Sequence, residues 1–356
     1  MYAVIMAGGK GSRFWPKSRE RMPKHLLDII SEKTIIQETV GRIKHLIPAE
    51  NIFIVTGASH AGELIRQLPE IPKDNILIEP VGRNTAPCIG LAAVHIRGKD
   101  PDAVMAVLPS DHLIANEARF LDLLKIAAEM AGKGDYLLTI GIEPTTPETG
   151  YGYIERGEKI ASIKDEDIYT VRSIREKPDL ETANALLEQG GFFWNSGMFV
   201  WKVSAILGAI EKWLPEIYDG LSTIETALGT SQEKKVIEEV YQTICSISID
   251  YGVMEKADNA LVVSGNFGWN DIGSWDALWD VLDKDEQGNV VKGPFIGIDA
   301  ENSLIHSPRK LVALVGVEDL LVVETDDALL ICKRGKSQKV KNAVEKLAEQ
   351  KQTQYL

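Results

Sequence analysis

The sequence predicts an α/β protein: a mostly parallel sheet, continued by a mixed extension, with a small β domain at the C-terminal end. Three observations carry this. Over roughly the first 140 residues, short apolar runs rich in β-branched residues alternate with longer segments of helical period, which is the pattern of βαβ units. From Gly150 the texture changes to tight turns and extended pieces. The 356 residues are too many for one ordinary core and suit one large domain with a smaller appendage, divided here into residues 1–285 and 286–356.

In chain order, the spacing predicts strands at Tyr2 to Met6, Ile52 to Thr56, Ile76 to Ile78, Ala103 to Leu108 and Tyr136 to Gly141. Between them, Ile35, Ile36, Val40, Ile43 and Ile47 recur at helical spacing, as do Ile89, Ala92, Ala93 and Ile96, and Phe120, Leu121, Leu124 and Ala128. Thr85 and Pro87 read as the cap and first turn of the second of these helices, because proline is tolerated where the backbone donor is unpaired anyway. The segments TGYGYIERGE, TVRSIREKP and FFWNSGMFVWK are extended, with a helix from Asp179 to Glu188 between the last two. After a helical run from Ser274 to Leu282, the stretch Gly288 to Lys333 holds short Val/Ile/Leu strands, and a charged helix from Ser337 to Glu349 follows. Low-complexity stretches and long-period repeats are absent from the sequence.

Composition narrows the function. Hydrophobic residues at 44% and charged residues at 26% are the balance of a soluble globular protein. The apolar run at the start, Tyr2 to Ala7, is too short for a signal peptide or a membrane span, so a cytoplasmic protein is expected. Cys88, Cys245 and Cys332 lie far apart, with no spacing suited to structural zinc or a disulfide framework. A net charge of -13 repels nucleic acid and anionic membrane alike. The local exception is a run of six cations, Lys10, Arg13, Lys17, Arg19, Arg21 and Lys24, against the single acid Glu20. A positive island on an acidic chain points to a small anionic ligand.

That island begins in a glycine-rich turn, Gly8, Gly9, Lys10, Gly11, Ser12, Arg13, directly after the first strand and so at the carboxyl edge of a parallel sheet, where ligands bind in such folds. Phe14 stands where a dinucleotide fingerprint needs its third glycine, and the P-loop pattern is also missing, which disfavours a dehydrogenase and a P-loop ATPase. The continuation through Pro16, Pro23 and Lys24 adds two bends and fixed positive charge to one phosphate site.

The segment AGGKGSRFWPKSRERMPKHLL resembles the signature of the sugar nucleotidyltransferases, and Phe14 and Trp15 before Pro16 resemble their mannose-1-phosphate guanylyltransferase branch. The resemblance implies a Rossmann-like nucleotidyltransferase sheet with helices on both faces, followed by a β-helix-like C-terminal domain. It also implies that Gly8, Gly9, Gly11, Ser12, Arg13 and Lys24 wrap the triphosphate of a nucleotide. The physics agrees, since an anionic phosphate must approach an α-phosphate that is itself anionic. One cation at about 5 Å in an effective dielectric of about 20 offsets roughly 3 kcal/mol of that repulsion, so several are needed.

Further segments follow the family in order. Glu79 to Pro87, EPVGRNTAP, resembles the base-recognition segment, with Gly82, Arg83, Asn84 and Thr85 as candidates. Guanine presents O6 and N7 acceptors, which backbone N–H groups or Arg83 can meet, while Asn84 can donate or accept; the sequence leaves open which of the four touches the base. Asp111 follows an apolar strand and Asp271 lies on the glycine-flanked turn GWNDIG. Magnesium takes a few carboxylate oxygens together with phosphate oxygens and water, which two aspartates from distant strands can supply, and the resemblance implies the same pair as metal ligands. On the sugar side, Glu176 and Asn195 offer hydrogen-bonding groups for hydroxyls and Lys177 a cation for the phosphate. The resemblance assigns Gly150 a backbone contact to the sugar and Lys177 the 1-phosphate. Glu-Lys-Pro occurs at many strand ends as solvated charge; its weight here comes from lying between TGYG and NSGMF. Asp250 and Glu255, in IDYGVMEK, are candidate supports of the pocket. Asn270, where a serine often precedes the aspartate, is a departure from the pattern.

The implied reaction is a magnesium-dependent in-line displacement in which mannose 1-phosphate attacks the α-phosphorus of GTP, giving GDP-mannose and diphosphate. Arg13, Lys24, Asp111 and Asp271 are its catalytic candidates. Two other readings are weighed against it. One keeps the reaction and changes the pair, to another hexose or heptose 1-phosphate such as glucose 1-phosphate, or to dTTP or UTP. The other is a non-catalytic subunit that senses nucleotide sugar, against which stand the intact Lys24, Asp111 and Asp271. A homodimer is expected through the C-terminal strands.

Overall fold

A strand buried on both sides reads as a continuous apolar run rather than an alternating one, and YAVIMA at the start of the chain is such a run. In the computed structural model, which describes residues 1–9 and 11–356, it forms the first strand, β1 (Tyr2–Ala7). Lys10, counted among the six loop cations, lies outside the described residues. The regular elements that follow are α1 (Ile35–Ile43), β2 (Ile52–Gly57), α2 (Ala58–Gln67), β3 (Ile76–Glu79), α3 (Thr85–Lys99), β4 (Val104–Pro109), β5 (Leu113–Ile114), α4 (Glu117–Gly132) and β6 (Leu137–Ile142). Next come β7 (Tyr153–Ile163), β8 (Glu166–Arg175), α5 (Leu180–Gln189), β9 (Phe192–Lys202), α6 (Val203–Trp213), α7 (Pro215–Ala227), α8 (Glu233–Thr243), β10 (Ala260–Ser264), β11 (Trp269–Asn270) and α9 (Trp275–Val281).

The chain forms two compact units: Met1–Gly8, Val40–Ser110 and Ile114–Trp269 make the first, and Gly9–Thr39, Asp111–Leu113 and Asn270–Leu356 the second. The chain enters the second unit three times, which a single boundary after residue 285 does not express. The basic loop groups with C-terminal residues because its apolar side chains, Phe14, Leu27 and Ile29, share a core with Trp275 and Val340.

The first unit is built on a nine-stranded sheet of order β3-β2-β1-β4-β9-β6-β10-β8-β7. Strands β1, β2, β3 and β4 are parallel, as the βαβ pattern predicts, and β6 pairs in parallel with β10. Strand β9 is antiparallel to both β4 and β6, and β8 is antiparallel to β10, which makes the extension mixed. Successive side chains of a strand face opposite ways. Val4 joins one core cluster with α3, α6 and α7, while Ala3 and Ile5 are equally buried, so both faces of the sheet are covered. Helix α3 is apolar around most of its circumference and sits in the middle of that cluster, as such helices must. One expectation changes. The cap of α3 is Asn84, whose side chain accepts from the Thr85 N–H, and Thr85 is the first helical residue; its hydroxyl instead accepts from Ile249 N at 2.8 Å. Helix α2, inside the alternation, and helices α6, α7 and α8, beyond it, are given no bounds in the sequence reading.

In the second unit the C-terminal strands are β12 (Val290–Lys292), β13 (Phe295–Glu301), β14 (Leu304–His306), β15 (Val312–Glu318), β16 (Leu320–Glu324) and β17 (Leu329–Lys333), followed by α10 (Val340–Glu349). Strands β12, β14 and β16 stack in parallel and β13 pairs in parallel with β15, so successive coils lie on one another as in a β-helix; β17 closes the stack antiparallel.

Candidate functional site

Loops that follow β1, β3 and β4 leave from the same edge of the parallel strands, the edge at which such sheets bind ligands. Gly8 follows β1 directly. Gly11 adopts a left-handed conformation, φ 59°, and opens a short 3-10 turn, Ser12–Phe14. A side chain there would be doubly obstructed, because a Cβ at Gly11 would lie 2.7 Å from the Lys24 Cβ. Glycine thus brings the loop into contact with Lys24, and the Ser18 hydroxyl, donating to Gly11 O at 2.7 Å, holds it there.

Lys24 is buried, and its ammonium donates to Asp111 Oδ2 and Asp111 O, both at 2.9 Å, and to Asp271 O at 2.6 Å. A lysine has three donors, so all are used, and the two aspartates expected as metal ligands are tied to one cation. Burial opposes ionisation of the Asp111 carboxyl, but the charges of Lys24, His112 and His25 outweigh it and hold the group below the usual carboxylate range. Asp271 sits in a turn that Asn270 closes, its carboxamide oxygen accepting from Ile272 N at 2.7 Å. An asparagine in place of the commoner serine therefore supports the turn. Gly11, Ser12, Arg13, Lys24, Asp111 and Asp271 all line one polar cavity of about 320 Å³, together with His112 and Lys341. Arg13 is exposed, with one long hydrogen bond of 3.5 Å to Gly273 O. The sequence reading missed Lys341, because a lysine on a charged terminal helix gives no local signal.

In the first unit, the expected base-recognition segment is a built turn. The Arg83 guanidinium donates from Nε to Tyr241 O at 2.8 Å and from Nη2 to Gln242 O at 3.0 Å, which fastens the turn to the last residues of α8. Asn84 and Thr85 are occupied in capping and in the contact with Ile249, while Gly82 faces open space. Below them Glu79 is buried, and burial pushes its carboxyl up to about 7 against an opposing hydrogen bond from Tyr241. A folded-state value above the unfolded one means that the folded form keeps its proton longer, so this group's contribution to stability is lost as pH rises through 7. Glu79→Gln should be more stable than the parent, with the gap widening by about 1–2 kcal/mol between pH 6 and 8.5 in urea melts. A gap independent of pH would contradict the assignment.

The expected sugar-side residues also meet. Asn195 Nδ2 donates to Asp250 Oδ1 at 2.7 Å and to Glu176 Oε1 at 3.3 Å. Gly152 leaves the room this requires, since a Cβ there would lie 2.3 Å from Glu176 Oε1. Burial and the neighbouring Glu176 push Asp250 up to about 6, although the Asn195 hydrogen bond works against the shift. The Lys177 side chain is exposed, its ammonium 3.8 Å from Glu176 Oε2. Gly150 stands at the head of this segment with open space around it. Tyr151 meets Trp194 and Trp269 edge-on, at 5.2 and 5.1 Å between ring centroids, which braces the TGYG turn.

Comparison with known proteins bears on the same segments. Residues 2–288 match the nucleotidyl transferase family, and residues 293–347 match the mannose-phosphate isomerase/GMP-like β-helix domain. The chain is 41% identical over 355 residues to a mannose-1-phosphate guanylyltransferase of Klebsiella pneumoniae, an alignment covering 99% of this chain and 75% of that protein. An Escherichia coli protein of the same name is matched to the same extent, 41% over 355 residues. A solved structure from Thermus thermophilus, described as a mannose-1-phosphate geranyltransferase, superposes with a TM-score of 0.87 at 32% identity, covering 98% of this chain and 99% of that one.

Proposed function

The chain belongs to the nucleotidyl transferase family, and we propose that it is a mannose-1-phosphate guanylyltransferase, converting GTP and mannose 1-phosphate to GDP-mannose and diphosphate. The observation that carries the reading is the cavity in which cations from the glycine-rich loop face the Asp111 and Asp271 pair. We assign catalysis to residues 1–285 and a supporting role to residues 286–356.

In the proposed reaction an oxygen of the sugar phosphate attacks the α-phosphorus of GTP. The new P–O bond forms as the bond to the β-phosphate breaks, and diphosphate leaves with the electron pair. No protein nucleophile is required. Backbone N–H groups of Gly8, Gly9, Gly11 and Ser12 hold the triphosphate, and Arg13 meets the charge that grows on the leaving group. Lys24 keeps the aspartates in register. Gly82 and its turn hold the base, with Arg83 securing the turn and Asn84 and Thr85 shaping it. Glu176 and Asn195 orient the sugar hydroxyls, Gly150 contacts the sugar, and Lys177 binds its phosphate, so that positioning does most of the work.

The donor set suits magnesium. No group of three or more His, Cys, Asp or Glu is gathered for a metal among the described residues, and two carboxylates leave positions for phosphate oxygens and water. Magnesium held by Asp111 and Asp271 would supply positive charge beside the reacting phosphates. No helix among the described residues is long and apolar enough to cross a membrane, and the net charge of -13 disfavours nucleic acid; we infer a cytoplasmic enzyme of small substrates. Exposed Ile296, Ile298 and Val315 on the paired strands β13 and β15 support a homodimer, to be read from the mass of the same preparation.

Diphosphate release should be measured with magnesium and mannose 1-phosphate, comparing GTP, ATP, UTP and dTTP. Release mainly with GTP is expected. Release with another triphosphate at equal or greater rate would overturn the base assignment, and no release with any would overturn the sugar or the activity itself.

A further inference from the structure

We infer that Lys341, on the C-terminal helix α10, is a binding residue for the phosphates of the triphosphate and of the leaving diphosphate. The inference deepens the proposed function and rests on reading the cavity of the second unit as the triphosphate site. It gives the C-terminal residues a part in the chemistry.

The start of α10 is fixed in place from several sides. Val340 is buried in the core that also holds Phe14, Ile272 and Trp275, the first two being direct neighbours in sequence of Arg13 and Asp271. Just before the helix, Asp276 accepts from Gly335 N at 2.7 Å and from Ser337 N at 3.1 Å, and Ser337 is fully buried. One residue beyond the buried Val340, Lys341 lines the cavity together with Ser12, Arg13 and Asp271. The helix therefore delivers this side chain to the loop that the sequence reserves for phosphate.

Charge bookkeeping shows why it matters. Lys24 has its three donors committed to Asp111 and Asp271. Lys341 has no hydrogen bond or ion pair among the described residues, and Arg13 has only the long one to Gly273 O. Arg13 and Lys341 are thus the cavity's uncommitted cations among the described residues, set against a ligand with several negative charges.

The test is binding of inorganic tripolyphosphate to the full chain, measured by calorimetry in magnesium buffer at about 0.15 M salt. Lys341→Gln should bind about tenfold more weakly than the parent, the size expected for loss of one charged hydrogen-bonding partner. Lys341→Arg should recover most of the affinity, and Lys346→Gln, on the same helix but away from the cavity, should bind as the parent does. In turnover assays the KM for GTP should rise by a similar factor while the KM for mannose 1-phosphate stays put. Equal binding by the parent and Lys341→Gln would overturn the inference. So would a parent that binds no tripolyphosphate, or an arginine variant as weak as the glutamine one. Tripolyphosphate carries neither base nor sugar, so this result stands apart from whether GTP and mannose 1-phosphate are the substrates.

Discussion

Asp111→Ala and Asp271→Ala are each expected to lower turnover by at least about 10²–10³-fold while leaving the chain folded. The two carboxylates reach one cavity from turns 160 residues apart in sequence, and Lys24 ties the turns together through the Asp111 carboxylate and the Asp271 main-chain carbonyl. Removing the Asp111 side chain still leaves the Lys24 ammonium two acceptors, the carbonyls of Asp111 and Asp271, so the cation is not stranded. The stability loss should be about 1 kcal/mol, since the Asp111 side chain is a third exposed and solvent screens the pair. Asp271→Ala removes no acceptor from Lys24, because that contact is made by the main chain. The measurement is kcat with GTP and mannose 1-phosphate over a magnesium titration, alongside thermal melts. Loss of turnover with intact melting, unrescued by excess magnesium in the double variant, is the expected pattern. Near-normal turnover of both single variants would remove the metal assignment.

The same residues show how far the sequence could be read. Strand positions in the first 140 residues are accurate to about a residue because each is a buried apolar run bounded by turns, and periodicity records burial directly. The insertion of β9 between β4 and β6 leaves no such mark: an apolar strand does not declare its neighbours. The site candidates were legible because glycine, proline and paired charges are unusual at those spacings. Partnership was not. Arg83 suits the edge of a base as well as it suits two carbonyls, and only the fold reveals that α8 ends beside it. Lys341 lies among other lysines, and nothing local distinguishes the one that faces the cavity from those in solvent. Thr85 and Asn84 are both good caps, so a one-residue error in placing the helix start was within the resolution of propensity alone.

Lys24 illustrates the same point with larger consequences. Its place after Pro23 suggests a cation for phosphate, yet its three donors end on the two aspartate turns. We therefore expect Lys24→Met to act through Asp111 and Asp271 as well as through charge. The substitution keeps the aliphatic stem that packs against Gly11 but removes every donor, leaving two carbonyls and a carboxylate oxygen without their partner. A loss of about 2 kcal/mol in stability is expected, below the full cost of a broken buried pair because Asp111 retains some solvent. Without the ammonium, burial of Asp111 is opposed only by the histidines, so its carboxyl should titrate at higher pH than in the parent. The acid limb of the pH–rate profile should move upward with it, and turnover should fall by about 10³-fold or more. Lys24→Arg should not rescue, since a planar guanidinium cannot direct three converging donors from the space that Gly11 leaves. A double-mutant cycle with Asp111→Asn separates this from a purely electrostatic role toward substrate. If Lys24 organises the aspartates, the stability losses in the double variant fall short of their sum, because the second substitution removes a group already without its partner. Strict additivity, with an unmoved acid limb, would return Lys24 to the simpler role of a phosphate ligand.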